Sequence, residues 1–351
     1  MRSRIKFLLV ALLLHLPLFA YPVLRLSSWL GLGGVTTTLI FLPLFFSQIV
    51  ARVYLRHANS GAVFWLRRAA DLWLGVSPLI LCMLLIAEIP VALEWVAPAT
   101  AAYALIGSAF ALLVYSMLNA YSPSVVKVQL TSDKLSAPLR FAQITDVHIG
   151  SRSGAFLERV MRKVNTVDPQ FLCITGDFID APGIDEEQLS ALRSCPVPMY
   201  FCIGNHERYE DLDDILQRLQ ILGVTVLRST TTNHGAVQLI GIDDSDNPGQ
   251  VEREIARLHI DRTRFVLLLY HRPRGLEAAA AAGVDLMISG HTHNGQIVPF
   301  NLVVKRVFEQ TVGLFTHDRT KLYVSPGTGT WGPVMRLGSR GEVTLFEIQP
   351  V

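Results

Sequence analysis

The sequence predicts a protein in two parts: a transmembrane region of four α-helices, residues 1–123, and an α/β domain, residues 124–351. Two observations predict this fold class. Long apolar stretches fill the first third of the chain, and short strand-like runs alternate with helix-like segments in the rest. A third observation concerns function, because carboxylate, imidazole and amide side chains follow five of the strand-like runs.

The charged residues are spread unevenly along the 351-residue chain, which is 17% charged and 50% hydrophobic. Only eight Lys or Arg and three Asp or Glu precede Ser124. A net charge of +2 provides no concentrated basic face of the kind that nucleic-acid backbones require, so we expect no nucleic-acid partner. The four cysteines lack the paired spacing of a zinc knuckle, and we interpret them as buried thiols in a reducing compartment.

Four apolar stretches approach the roughly 20 residues that a helix needs to cross the hydrocarbon core. They are residues 5–22, 31–51, 72–93 and 98–120. Basic residues lie mainly in the N-terminal tail and the second loop. This bias places the N-terminus and, after four crossings, the C-terminal domain in the cytoplasm, so we expect a multi-pass protein of the cell (inner) membrane. The first stretch also resembles a signal peptide, although no convincing cleavage site precedes Tyr21.

Glu88 lies inside the third apolar stretch. It either sits close enough to the interface to reach water or headgroups, or is a buried carboxylate on an ion pathway. We favour the first interpretation, because the sequence shows no second intramembrane charge to partner it.

Beyond Ser124 the apolar residues change their period. Six short β-type runs are predicted at 125–130, 140–145, 171–175, 199–203, 265–270 and 286–289. Helix-like segments alternate with several of them, at 156–167, 185–193, 211–222 and 250–258. Asp211 is a candidate N-cap for the third of these helices. The later runs 236–242, 321–324 and 342–348 lack intervening helices and suggest extra antiparallel strands of a second sheet.

Residues suited to metal binding follow the strands in order. They are Asp146 and His148, then Asp177, then Asn205 and His206, then His271, and finally His291 and His293. In open α/β sheets ligands bind outside the carboxyl ends of the strands, so these side chains are expected to converge. Residues two positions apart, such as His291 and His293, can point to the same side, and Gly290 removes a crowding Cβ before them.

The ligand types indicate two divalent metal ions. Mixed carboxylate and imidazole ligands suit manganese, iron or zinc better than calcium, and the lack of a nearby Cys in the sequence argues against structural zinc. Two ions about 3.5–4 Å apart can clamp a phosphoryl group and lower the pKa of a shared water, with one carboxylate bridging them. We therefore expect a hydrolase of phosphoric esters, with manganese as the favoured metal.

These elements resemble the five signatures of the calcineurin-like metallophosphoesterase superfamily, over residues 140–348. They read Asp146-Val147-His148, Gly176-Asp177, Gly204-Asn205-His206-Glu207, His271 and Gly290-His291-Thr292-His293. The string 289–296 and the tail 327–338 resemble the bacterial membrane-associated branch of that family. Two positions depart from its pattern, Asn294 where glycine is expected and Glu207 in place of the commoner aspartate, and neither is an expected ligand.

The resemblance implies a four-layer sandwich of two mixed β-sheets flanked by helices. It also implies a first ion held by Asp146, His148, Asp177 and His293, and a second held by Asp177, Asn205, His271 and His291. A metal-bound hydroxide would attack phosphorus, while His206 would protonate the leaving oxygen or steady the charge on the phosphoryl group.

Other polar residues are weaker candidates. Arg208 and Arg272 have planar forks suited to binding phosphate, with an exposed surface arginine as the equal alternative. His234 and His317 lie outside the signatures, and we interpret them as solvated. The basic residues of segment 156–164 are expected to form a solvated face rather than to contact headgroups.

The expected substrate is a phosphodiester, phosphomonoester or pyrophosphate, and the membrane region suggests a lipid-linked one. A lipid-linked nucleotide pyrophosphate, as cleaved in lipid A assembly by UDP-2,3-diacylglucosamine hydrolases, is one case. The alternative is a membrane sensor or scaffold that binds a phosphorylated ligand without turnover. His206 argues against it, because a binding module needs no proton donor. A transporter would need paired intramembrane polar groups.

Overall fold

A computed structural model of the protein describes residues 13–55 and 61–351. The chain forms two compact units. The first contains Met1–Leu118 with Gly332–Met335, and the second contains Asn119–Trp331 with Arg336–Val351.

Among the described residues of the first unit, the regular secondary structure is helical. Its elements are the π-helical turn Leu16–Ala20, helix Tyr21–Trp29, helix Gly34–Ile49 with the π-helical turn Val50–Tyr54, helix Gly61–Ala92 and helix Pro98–Tyr121, which ends in the second unit. Three helical segments in the described part are long and apolar enough to cross a membrane: Gly34–Tyr54, Gly61–Ala92 and Pro98–Tyr121. They correspond to the last three predicted spans. Much of the first predicted span, up to residue 12, lies outside the described residues.

Glu88 is paired, so the expectation that it stands alone is wrong. The Arg25 guanidinium donates to its carboxylate at 2.5 and 2.6 Å, and the Tyr21 hydroxyl donates at 2.8 Å. Both partners lie on helix Tyr21–Trp29, 63 and 67 positions away in sequence. The sequence could not reveal the pair, because no local pattern joins residues so far apart. Pairing reduces the cost of placing a carboxylate among apolar helices.

The second unit contains two six-stranded mixed β-sheets. The strands are β1 Ser124–Ser132, β2 Leu139–Ile144, β3 Leu172–Thr175, β4 Met199–Cys202, β5 Val224–Val226, β6 Thr230–His234, β7 Val237–Ile242, β8 Phe265–Tyr270, β9 Leu286–Ser289, β10 Gly313–His317, β11 Thr320–Val324 and β12 Glu342–Pro350. The first sheet has the order β1-β12-β2-β3-β4-β5, and the second has the order β10-β11-β9-β8-β7-β6. Strands β2 to β5 run parallel, as do β7, β8, β9 and β11.

Apolar side chains from both sheets form the central core. Phe141 of β2 stacks between Phe171 and Phe346, at ring-centroid distances of 4.9 and 4.7 Å. The neighbouring residues Ala142 and Ile144 belong to a different core, on the other face of the first sheet. This alternation follows from the two-residue period of a strand.

Helices cover the outer face of each sheet, which confirms the prediction of two mixed sheets flanked by helices. Those that contribute buried side chains to the first sheet's outer core are Gly154–Thr166, Glu186–Leu189 with the 3-10 turn Ser190–Ser194, and Leu212–Ile221. Gln250–Ile255 and Leu276–Ala282 do so for the second sheet. Two further helices, Asn205–Tyr209 and Phe300–Val307, lie near the site described below. Asp211 caps helix Leu212–Ile221, as predicted, by accepting from the Asp214 N–H.

The expectation for the three later strands is wrong in part. β7 pairs in parallel with β8 and β11 with β9, while β12 joins the first sheet between β1 and β2, parallel to β1. A parallel pair requires a crossover connection, and the short helix Gln250–Ile255 lies in the connection between β7 and β8. The sequence did indicate a helix at 250–258 between the runs 236–242 and 265–270, and that helix belongs to this crossover.

Two histidines differ in their surroundings. His234 ends β6 and is only partly exposed, with Nδ1 3.1 Å from the Tyr200 hydroxyl, so its interpretation as a solvated residue is wrong. The side chain of His317, at the end of β10, is 43% exposed, as expected.

The cysteines are free thiols. Cys173 and Cys202 are buried, and Cys82 and Cys195 are partly buried.

Phe141→Ala should lower the free energy of unfolding of the second unit by about 3–5 kcal/mol, because it leaves a cavity between the sheets. Ile221→Ala is the control, since Ile221 is 61% exposed; it should change stability by less than about 0.5 kcal/mol. Denaturant titration of purified protein measures both. Equal losses in the two variants would contradict the placement of Phe141 at the centre of the core.

Candidate metal centre

The predicted site residues lie where the carboxyl ends of five strands meet. Asp146 and His148 follow β2, Asp177 follows β3, Asn205 and His206 begin the helix after β4, His271 follows β8, and His291 and His293 follow β9. Two layers of parallel strands therefore deliver side chains from two sheets to one place, as open α/β sheets do at their ligand sites.

One group consists of Asp146, His148 and His293. The His293 Nε2 atom lies 3.2 Å from Asp146 Oδ1 and 3.1 Å from His148 Nε2. The Asp146 carboxylate also accepts from the His291 backbone N–H at 3.0 Å and the Thr145 hydroxyl at 2.8 Å. These backbone and hydroxyl donors orient a carboxylate that is fully buried.

A second group consists of Asp177, His271 and His291. The His271 Nε2 atom lies 3.1 Å from Asp177 Oδ2 and 3.1 Å from His291 Nδ1. On the other side of the ring, His271 Nδ1 lies 2.8 Å from the Thr175 carbonyl, to which it donates. Because Nδ1 donates to the carbonyl, Nε2 is the ring atom that a metal would bind, after losing its proton.

Asp177 links the two groups. It also lies within reach of His148 and His206, in a third cluster of close ligand atoms. The His206 backbone N–H donates to Asp177 Oδ1 at 2.8 Å, and the His206 Nε2 atom lies 4.0 Å from Oδ2. The His206 side chain remains 19% exposed, so it faces the opening of the site.

Asn205 lies between Gly204 and His206, both of which contact Asp177. Its side-chain Oδ1 atom is buried without a hydrogen-bond partner in the described structure. A buried carbonyl oxygen that lacks a donor is costly, and a cation would satisfy it. This orphaned oxygen, together with the facing imidazole nitrogens, fits a site for hard divalent ions.

The backbone is strained at the same residues. Asp146, His148, Asp177, His291 and His293 have φ between +49° and +71°, the left-handed region that side chains with a Cβ rarely adopt. Such strain persists only where the surrounding structure enforces it, and it is often found at functional sites. The five candidate ligands are therefore held by their tertiary contacts.

Two glycines make room for the carboxylates. A Cβ on Gly204 would lie 2.2 Å from Asp177 Oδ1, and one on Gly290 would lie 2.2 Å from Asp146 Oδ2. Only the absence of a side chain permits this approach.

Two buried carboxylates support the site without having been predicted to do so. Glu207 accepts from the backbone N–H groups of Gly204, Asp177, Phe178 and Ile179 at 2.6–3.1 Å, and so joins the loop after β3 to the loop after β4. The Asp180 carboxylate lies 3.2 Å from His148 Nδ1 and places negative charge beside that ring. Glu207 stood beside the Asn-His pair in sequence, but nothing there indicated its four donors.

Arg208 and Arg272 are engaged by acids. Arg272 donates to Asp244 at 2.6 Å and to Asp246 at 2.7 Å, and Arg208 donates to Asp244 at 2.8 Å. Their planar forks are thus used to hold the loop after β7 beside the site. Phosphate binding by these two arginines stays a prediction.

The charges in the site are strongly coupled. Burial opposes ionisation of Asp177, but the His271 imidazolium holds the pKa of that carboxyl well below its usual range. Burial opposes protonation of His271, but the Asp177 carboxylate outweighs it and raises the pKa of His271 to about 10. For His291, burial and the charge on His271 both lower the pKa, to about 3. The carboxylates of Asp146 and Asp177 thus favour positive charge beside them, and divalent cations carry such charge.

The chain is similar in sequence to known metallophosphoesterases. Residues 139–295 match the calcineurin-like phosphoesterase family. An uncharacterized metallophosphoesterase of Aquifex aeolicus is 31% identical over 250 residues, which cover 67% of this chain and 95% of that protein. One of Campylobacter jejuni is 30% identical over 249 residues, covering 68% and 67%. A transmembrane protein with metallophosphoesterase domain from Danio rerio is 31% identical over 264 residues, covering 66% and 59%.

Gly204→Ala should weaken metal binding by at least about tenfold, because the new Cβ would displace Asp177 from its position between the two groups. Gly249→Ala is the matched control, since the nearest atom to its Cβ would be 3.7 Å away. Calorimetric titration with manganese measures both. Unchanged affinity in Gly204→Ala would show that the position of Asp177 does not matter for metal binding.

Proposed function

This chain belongs to the calcineurin-like metallophosphoesterases and is a phosphoester hydrolase, and we propose that it cleaves phosphoric esters or pyrophosphates at two divalent metal ions. The observation that carries the proposal is the convergence of two Asp-His groups on Asp177, with the unpartnered Asn205 oxygen beside them.

We assign Asp146, His148, Asp177 and His293 to the first ion, and Asp177, Asn205, His271 and His291 to the second. The distances within each group support this division, and the carboxylate of Asp177 would bind both ions. Manganese is the metal we favour, with iron and zinc as alternatives, because the ligands combine carboxylate and amide oxygens with imidazole nitrogens. When bound, the two ions would supply Lewis-acid charge to the phosphoryl group and lower the pKa of the attacking water.

The protein's own residues would orient the substrate and move a proton. His206 lies at the opening, where its partly exposed ring can donate a proton to the leaving oxygen. Burial and the neighbouring His148 lower the pKa of His206, and an anionic phosphoryl group beside the ring would favour its protonated form. The indole of Trp331 lies 6.0 Å from the His206 ring and could pack against the substrate.

We place the domain on the cytoplasmic side of the inner membrane and propose a lipid-linked substrate. Three helical segments of membrane-spanning length support an attachment to the bilayer. The distribution of basic residues in the tail and loops supports the orientation, with the first predicted span as the fourth crossing.

Hydrolysis of a chromogenic phosphodiester and a monoester by detergent-purified protein, with and without manganese, tests the proposal. Wild type should turn over at least one of them only with metal, and a chelator should abolish the activity. His206→Ala should reduce kcat by about 10²–10⁴-fold, because it removes the proton donor. Asp177→Asn should abolish activity through loss of the bridging charge.

His317→Ala serves as the control, because that exposed histidine lies outside the site. Full activity of Asp177→Asn or His206→Ala would refute their assigned roles. Metal-independent turnover by wild type would refute the two-ion centre.

A further inference from the structure

Helix Phe300–Val307 presents apolar side chains to the surface. Phe300, Val303 and Val307 are 56%, 50% and 61% exposed, and their spacing of three and four residues puts them on one side of the helix. We call these three residues the docking face. No residue of this helix is buried; Leu302, which is 59% exposed, lies on another side of it, as do the exposed Lys305 and Arg306. An exposed apolar face beside basic residues is typical of helices that lie in a membrane interface.

Helix Phe300–Val307, which we call the docking helix, borders the candidate metal centre at both ends. It begins after the 3-10 turn His293–Gly295, and Gly295 packs so closely on Asn301 that an added Cβ would lie 2.3 Å from the Asn301 Cα. After it, the ring of Phe308 lies 5.3 Å from the ring of His291. Whatever the docking face contacts therefore lies near the candidate metal centre.

Hydrogen bonds connect the segment before this helix to the last turn of helix Pro98–Tyr121. Asn119 is two positions before the end of helix Pro98–Tyr121, and its side chain donates to the Ser339 carbonyl at 2.9 Å. The Ser339 hydroxyl donates to the Gln296 carbonyl at 2.9 Å, four residues before Phe300. Within the second unit, these bonds tie the segment before the docking face to the last turn of helix Pro98–Tyr121.

We propose that the docking face inserts into the headgroup layer of the bilayer that holds the protein, with anionic phospholipid as its partner. Arg306 follows Val303 by three positions, so it flanks the docking face and complements that charge; a basic residue near an anionic surface strengthens binding by about fivefold. The opening of the site then faces the headgroups. This consequence rests on the proposed function and deepens it, because the substrate becomes an amphiphile whose phosphoryl group lies at the membrane surface.

Quenching by brominated lipid tests the insertion. The full chain with Val303→Cys is labelled with a fluorophore at that cysteine and reconstituted into phosphatidylcholine vesicles, with or without phosphatidylglycerol. Wild type labelled in the same way gives the signal from the native thiols, which is subtracted. Ile221→Cys is the matched control, because Ile221 is an apolar residue that is 61% exposed on another helix. We expect strong quenching at position 303, greater with phosphatidylglycerol, and little at position 221.

Quenching at position 303 no greater than at position 221 would overturn the proposal. Energy transfer between labelled copies in unbrominated lipid at low protein density would also overturn it, because that result would indicate that a second copy covers the docking face. Lys305→Glu with Arg306→Glu should remove the preference for anionic vesicles, and an unchanged preference would refute the role of charge.

A second experiment links the face to catalysis. Val303→Asp with Val307→Asp should lower hydrolysis of a vesicle-embedded phosphoester by at least about fivefold, while turnover of a soluble chromogenic diester stays within about twofold of wild type. Ile221→Asp should change neither. Equal losses on both substrates would refute a docking role. If wild type hydrolyses neither substrate, the proposed function fails, and the quenching result still decides the docking.

Discussion

Two neighbouring carboxylates, Asp146 and Asp177, are almost completely removed from water, and the site of the second unit is arranged around that constraint. Burying one ionised carboxylate is expensive, and burying two close together is more so. The structure offsets this cost with imidazoles from β8 and β9 and with backbone N–H groups of His206 and His291. The same concentration of negative charge makes the site attractive to divalent ions.

The backbone is distorted to assemble this site. Five of its residues hold left-handed φ angles, and glycines at positions 204 and 290 let the chain approach the carboxylates. These conformations are unfavourable in isolation. They are stabilised by the rigid core beneath them, where Phe141, Phe171 and Phe346 stack between the sheets, and by Glu207, which ties two of the loops together.

The first unit obeys the same electrostatic rule among its apolar helices. Glu88 is tolerated within helix Gly61–Ala92 because Arg25 and Tyr21 from another helix satisfy its oxygens. In both units a charged group is accepted only where distant parts of the chain supply its partners. Each such group therefore fixes how the segments pack within its unit.

The sequence by itself determined the apolar spans, most strands of the second unit and the residue types that follow those strands. These features are local, since span length, the two-residue strand period and the residues at a strand end are read within a few positions. Only the tertiary structure decided which strands pair, such as β12 between β1 and β2, and which acids serve the site or its arginines, such as Asp180, Glu207 and Asp244. These contacts depend on packing between residues remote in sequence, and no local periodicity encodes them.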